Sequence, residues 1–326
     1  MRTSSVTAGA VALGIALLAV VTSLGSGSAA AAPTCRGDRI TVADLASGCA
    51  VSTGTVVLPD GRRFAVPAAG VTVSALPLGA AGTSDAGDVS ITNAGRAGLA
   101  VRVDSVWKGS AAAVRQERDA LRSRLAATPQ AATTTTATKP SSCTNKSFAK
   151  LGFTWRAPVS WSYNPAGQKV SGASTIRAGA DAWTGAIAAC SKKITTTAAE
   201  RLVGNTTQAS GVTAAGGCGA SSGTSVVGWG ALPKNTLAVT CVWSRSGVAV
   251  EVDQRYTTAQ QWSTASTCSG PRFDLRGVAT HEWGHAFGLG HTAQSSGLVM
   301  RPASTTCDTG QRTLGLGDVL GIDALY

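Results

Sequence analysis

A chain of 326 residues is long enough for about two domains, on a prior of roughly 150 residues each. Charged residues make up only 14%, and 28 Lys and Arg against 17 Asp and Glu leave a formal charge of +11. The basic residues are dispersed and no finger or basic helix occurs, so this excess favours anionic surroundings in general and gives no ground for nucleic-acid binding.

Residues 1–32 read as a secretion signal. Arg2 supplies the positive start, Val11 to Val21 the apolar centre, and Ser28 to Ala32 the small residues of a cleavage region. The apolar run is short for a membrane span and no second candidate follows, so export without a stable span is expected, with a short N-terminal anchor as the competing reading. All eight cysteines come after it. An even number in an oxidising compartment implies up to four disulfides, and the lack of any C-x-x-C argues against a cysteine-held metal. Cys35 and Cys49 stand almost a hundred residues from the others and are expected to pair. For the remaining six, the sequential pairs Cys143–Cys190, Cys218–Cys241 and Cys268–Cys307 are attractive, but sequence alone does not select them.

Residues 33–108 carry short β-branched runs such as V-S-T-G-T-V-V-L, V-T-V-S-A-L and L-A-V-R-V-D-S-V-W between Gly, Pro and Asp turns. They predict a small β-rich N-terminal region, either a removed propeptide or a retained accessory module. Val114, Leu121 and Leu125 predict a helix over 110–127, followed by a Thr- and Ala-rich flexible linker up to residue 142. Residues 109–142 thus separate two regions and offer a place for proteolytic nicking. The second domain, 143–326, opens with a strand containing Trp155, Trp161 and Tyr163. Ser171 is then expected to cap a helix carrying Ile176, Ala180, Trp183 and Ile187. T-L-A-V-T-C-V-W and V-A-V-E-V-D-Q-R-Y read as strands, with Glu251 and Asp253 as structural or solvated acids.

The run from His281 to His291, H-E-W-G-H-A-F-G-L-G-H, holds every histidine of the chain. His281 and His285 are four apart and share one helical face, where two imidazoles can converge on one metal. Gly288 can adopt the conformation that ends a helix, which would bring His291 back as a third nitrogen ligand. Three protein ligands leave a fourth position for water, the arrangement of a catalytic zinc, and Glu282 stands beside the metal as a general base. Asp274 is placed to cap this helix.

That string resembles the metzincin signature H-E-x-x-H-x-x-G-x-x-H. Met300 in L-V-M-R-P, the F-D-L-R-G-V-A-T lead-in and the closing L-G-L-G-D-V-L-G-I-D-A-L-Y are similar to the matrixin (peptidase M10) branch of secreted bacterial type, and the likeness covers about residues 145–326. It implies an α+β, zincin-like metalloprotease domain with a twisted mixed sheet and an active-site helix. It also implies a secreted, monomeric zinc endopeptidase acting on proteins or peptides. Met300 would lie beneath the metal, Pro302 takes a position where other metzincin branches have a tyrosine, and Leu298 to Thr306 would line a specificity pocket. The strand nearest the cleft would run antiparallel to an extended substrate. Calcium in a structural role is allowed by scattered acids. A non-catalytic zinc-containing extracellular binding module is the alternative. The free-cysteine motif by which matrixins commonly mask their zinc is missing. A carboxylate or steric cover would have to replace it; Asp85 and Asp88 in a Gly-rich loop are candidates, read by default as solvated loop acids.

Overall fold

In a computed structural model of the chain, the described residues are 35, 38–47, 49–82, 87–104, 106–109, 111–126 and 142–326. The expected signal segment, most of the linker and Asp85 lie outside them. The N-terminal region forms β1 (Arg39–Thr41), α1 (Val42–Ala46), β2 (Thr55–Val57), β3 (Arg63–Ala65), β4 (Val71–Ala80), β5 (Val89–Asn93), β6 (Leu99–Val103), β7 (Val106–Gly109) and α2 (Ala111–Ala126). Beyond residue 142 come β8 (Ala149–Lys150), β9 (Val159–Tyr163), α3 (Ala173–Asp181), β10 (Ala186–Ala189), β11 (Lys192–Thr195) and β12 (Glu200–Asn205). Then follow β13 (Ser225–Gly230), β14 (Thr236–Arg245), β15 (Val248–Thr257), β16 (Trp262–Ser263), β17 (Phe273–Asp274), α4 (Leu275–Ala286), β18 (Leu289–Gly290), β19 (Ala303–Ser304) and α5 (Leu316–Asp323).

The architecture is α+β, built on a mixed sheet of order β12-β9-β13-β15-β14-β4-β5-β6-β7, with β19 beside the end of β4. The joins from β12 to β15 are parallel; those from β15 to β7 are antiparallel. The N-terminal strands β4 to β7 therefore continue the sheet of the C-terminal region. Both regions use β14 for this, because its side chains alternate between two cores. Ala238 and Val242 join a cluster with Val278, Trp283 and Met300. Val239, Cys241 and Trp243 join a second one with Val56, Phe64, Val73 and Ile91. Strand β4 repeats the pattern: Leu76 and Leu78 enter the first cluster, Val73 and Ala75 the second. Burial of both faces explains why β14 reads as a nearly continuous apolar run.

Two local expectations change. The helix expected after Ser171 begins at Ala173 with Gly172 as its cap and no side-chain capping bond, and it stops at Asp181. Trp183 lies past its end, and Ile187 belongs to β10, paired with Ile194 of β11. Gly185, at φ 64°, makes the intervening turn in a conformation other residues reach only with strain. The structure joins Cys35–Cys49, Cys143–Cys190, Cys218–Cys241 and Cys268–Cys307. No helix among the described residues is long and apolar enough to cross a membrane.

Candidate metal centre

Helix α4 is positioned from its first residue. The Asp274 side chain accepts the backbone N–H of Gly277 at 2.6 Å, closing the N-terminus of the helix, and Arg312 in turn pairs with that carboxylate. Every residue from Gly277 to Ala286 is buried, so α4 is a core helix rather than an amphipathic surface one. Helix α3 packs on it so closely that a Cβ at Gly179 would collide with the backbone of Ala279 and Thr280. Trp183 donates its indole N–H to the Thr280 carbonyl at 2.7 Å. After α4 the chain turns at Gly288, whose φ is 98° and whose N–H returns to the His285 carbonyl at 2.9 Å. A side chain there would also strike the Phe153 carbonyl. The turn passes into β18, held by β8, and delivers His291.

The three histidines meet. The Nε2 atom of His291 lies 3.2 Å from that of His281 and 3.1 Å from that of His285. Their outer nitrogens face groups that only accept: His281 Nδ1 lies 2.8 Å from the Val299 carbonyl, His285 Nδ1 2.8 Å from the Leu289 carbonyl, and His291 Nδ1 3.1 Å from an Asp88 carboxylate oxygen. Protons on those nitrogens leave a lone pair on each Nε2, so three lone pairs point at one another. That arrangement is repulsive unless a cation fills it. Tetrahedral zinc with bonds of about 2.0–2.1 Å would separate its nitrogens by about 3.3–3.4 Å, close to the spacing found. Burial, reinforced by the neighbouring imidazoles, holds His281 well below the ordinary histidine range. Burial and His291 together hold His285 down at about 3. Both rings are therefore neutral, as ligands must be. Among the described residues this trio is the one group of His, Cys, Asp or Glu able to hold a metal. No support for calcium emerges: Glu251 accepts the backbone N–H groups of Ser222 and Gly223, and Asp253 those of Gly211 and Val226. These two acids brace the loop and strand ahead of them, which is the structural half of the expectation.

Glu282 is fully buried beside the trio. Its Oε2 accepts the Thr240 hydroxyl at 2.5 Å, while Oε1 has no hydrogen-bond partner. An orphaned carboxylate oxygen in a buried site marks where a polar ligand or water belongs. Burial pushes its carboxyl up to about 8, against the pull of the Thr240 bond. Met300 packs against α4: a Cβ at Gly284, between Glu282 and His285, would collide with the Met300 sulfur. The segment around it hangs on Asp318 of α5, which accepts the N–H groups of Val299 and Gly315 at 2.9 and 2.8 Å. The Pro302 carbonyl accepts Gly79 N–H at 3.0 Å, joining this segment to β4.

One residue of the site escaped sequence reasoning, and another was named there but read by default as solvated. Thr240 lies in a strand forty-two positions before Glu282, and nothing in T-L-A-V-T-C-V-W distinguishes it from a core threonine. Asp88 is not a solvated loop acid: its side chain is 18% exposed and it stands against His291. Burial alone would raise its carboxyl, but attraction to His291, the bond to it and the nearby Arg102 cation outweigh that and hold it low. Of the two readings given to it, the carboxylate near the histidines is therefore the one its position fits.

No curated protein matches the chain. Residues 233–326 match the matrixin family of M10 peptidases, a span that takes in β14, β15, the three histidines and the last residue. With its mixed sheet and three histidines converging from a buried helix and the turn after it, the C-terminal region is a matrixin-like metzincin domain.

Proposed function

We propose that the protein is a secreted zinc-dependent endopeptidase in which His281, His285 and His291 hold the metal and Glu282 is the general base. Matrixins are zinc-dependent metallopeptidases, so the peptide substrate class follows the family. The convergence of three neutral Nε2 atoms at 3.1–3.2 Å beside an orphaned Glu282 oxygen is the observation that supports the finer reading. When bound, zinc would supply an acidified water and polarise the scissile carbonyl. Glu282 would take the proton from the attacking water on its free Oε1 and return it to the departing amine. Thr240 holds the other oxygen and so fixes the rotamer of the carboxylate. The Val299 and Leu289 carbonyls fix the tautomers of His281 and His285, keeping their lone pairs inward. Four disulfides are consistent with an extracellular protein and support export.

The expected result is one zinc per chain by elemental analysis and casein cleavage that stops on chelation. Glu282→Gln should keep the zinc and lose turnover by about 10²–10⁴-fold. Zinc retained with no turnover in any mature form would instead favour the binding-module alternative, and full activity in the variant would remove Glu282 from the mechanism.

A further inference from the structure

We infer that Gln311 is a positioning residue of the metal centre: through the Val299 carbonyl it fixes the ring of His281, and so sets how tightly the three histidines hold zinc. The inference rests on the metal reading of those histidines and adds to it a residue outside the ligand set. His281 Nδ1 lies 2.8 Å from the Val299 carbonyl. That oxygen has a second donor, the side-chain amide of Gln311 at 2.9 Å, and the same nitrogen reaches the Arg301 carbonyl at 3.5 Å. Both carbonyls can only accept, so the end of the glutamine that faces them is its NH2 group. A carbonyl oxygen offers two lone pairs; here one takes the imidazole and the other the glutamine.

What the two donors hold is the peptide unit between Val299 and Met300. The firm Asp318 bond, at 2.9 Å, goes to the N–H of Val299, which belongs to the preceding peptide. The N–H of Met300 makes a 3.4 Å approach to the other Asp318 oxygen, a long contact for a hydrogen bond. Rotation of this peptide is therefore resisted mainly at its oxygen. If the peptide turned, His281 would lose the acceptor that keeps its proton on Nδ1 and its Nε2 lone pair facing the other histidines.

Gln311 has little freedom of its own. It is fully buried, in a single 3₁₀ turn over Thr309–Arg312. Asp308 caps that turn by accepting Gly310 N–H at 3.1 Å and pairs with Arg301, whose guanidinium donates to the Leu298 carbonyl at 2.7 Å. The following residue, Arg312, pairs with Asp274 at the start of α4. The helix approaches so closely that a Cβ at Gly277 would stand 3.3 Å from the Gln311 Cβ. The turn thus ties the start of the histidine helix to the segment around Met300. Its Oε1 is buried with no hydrogen-bond partner. An amide buried with its oxygen unsatisfied is a poorer packing residue than an apolar side chain of the same length. What the apolar residue would not supply is the donor to Val299.

The test compares the full chain with Gln311→Met, which keeps an unbranched side chain of similar length and deletes the donor. Gln294→Met is the control. Gln294 braces the same segment, donating to the Ala303 carbonyl at 3.2 Å and accepting the Ala303 N–H at 3.0 Å, a pair that does not involve Val299. Zinc affinity is read by competition with a chromophoric chelator, and stability by unfolding of the metal-free chains. Gln311→Met should bind zinc at least about 10-fold more weakly, while Gln294→Met binds it as the parent does. A purely structural role would lower the unfolding midpoint and leave the affinity alone. Should Gln311→Met fail to fold, a zinc titration of the nitrogen-labelled parent serves instead. The Gln311 side-chain amide and the His281 Nδ1–H signals should then shift together, with the Gln294 amide as an unmoved reference. Equal zinc affinity in parent and Gln311→Met, or a Gln311 amide indifferent to zinc, would overturn this inference alone. A parent chain that takes up no zinc would overturn it together with the metal reading. Casein cleavage does not enter, so a failure of the peptidase reading shows separately.

Discussion

Glu282 and Thr240 show how much of a site can rest on one hydrogen bond. The carboxyl is completely buried, and burial drives it toward the neutral form; the Thr240 hydroxyl donates to it and favours the charged, proton-accepting form. Replacing Thr240 by Val keeps the branched shape and deletes the donor. A hydrogen bond to a charged group is worth about 1.5–3 kcal/mol, so kcat should fall about 10–100-fold with little change in KM. Steady-state kinetics on a peptide substrate check this, and an unchanged kcat would show that the threonine only packs. The histidines themselves needed no tertiary information to be found, since spacings of four and six residues put them together on any helix that turns back after Gly288.

At the scale of elements, the loop carrying Met300 is held by α5 through one carboxylate. Burial raises the Asp318 carboxyl to about 6 from an unfolded value of 3.8, although N–H groups of Val299, Gly315 and Met300 oppose the shift. The folded protein thus binds this proton more tightly than the unfolded chain. The contribution to stability is fully present below about pH 4 and is lost as pH rises through 6. Asp318→Asn can keep the two good bonds to Val299 and Gly315 with its amide oxygen, and it cannot titrate. Denaturant unfolding between pH 4 and 7 should therefore show a flatter decline in the variant than in the parent. A parallel pair of curves would exclude Asp318 as the source. This hanging of one element from another is invisible in the D-V-L-G-I-D pattern, which shows only an acid near a helix start. The misplaced end of α3 has a similar origin: Ile187 continues the apolar spacing, but Gly185 breaks the helix and a hairpin uses the residue instead.

For the whole molecule, the described residues after Ala32 belong to one compact unit, with four disulfides spread along it. Cys268–Cys307 closes 39 positions that contain α4, the third histidine and the Met300 segment. Replacing both cysteines by Ala should cost about 2–4 kcal/mol on unfolding. Because the pair joins the approach to α4 to the segment after Ser304, the loss should also raise KM more than it lowers kcat. Thermal unfolding and kinetics on the same preparation separate the two effects.

The sequence by itself determined which residues carry the proposed chemistry. Ligand spacing, the adjacent glutamate, the turn glycine and the cysteine count are local or countable properties, and helix periodicity converts them directly into geometry. It also carried the C-terminal family resemblance and the α+β class. Only the tertiary structure decided that the N-terminal strands extend the same sheet, that β4 lies along β14, and that Asp88 reaches His291. Strand pairing between residues more than 150 positions apart depends on which edge is left open and which faces are buried. A β-branched run announces that a strand will form, but its backbone carries no record of the partner it will find.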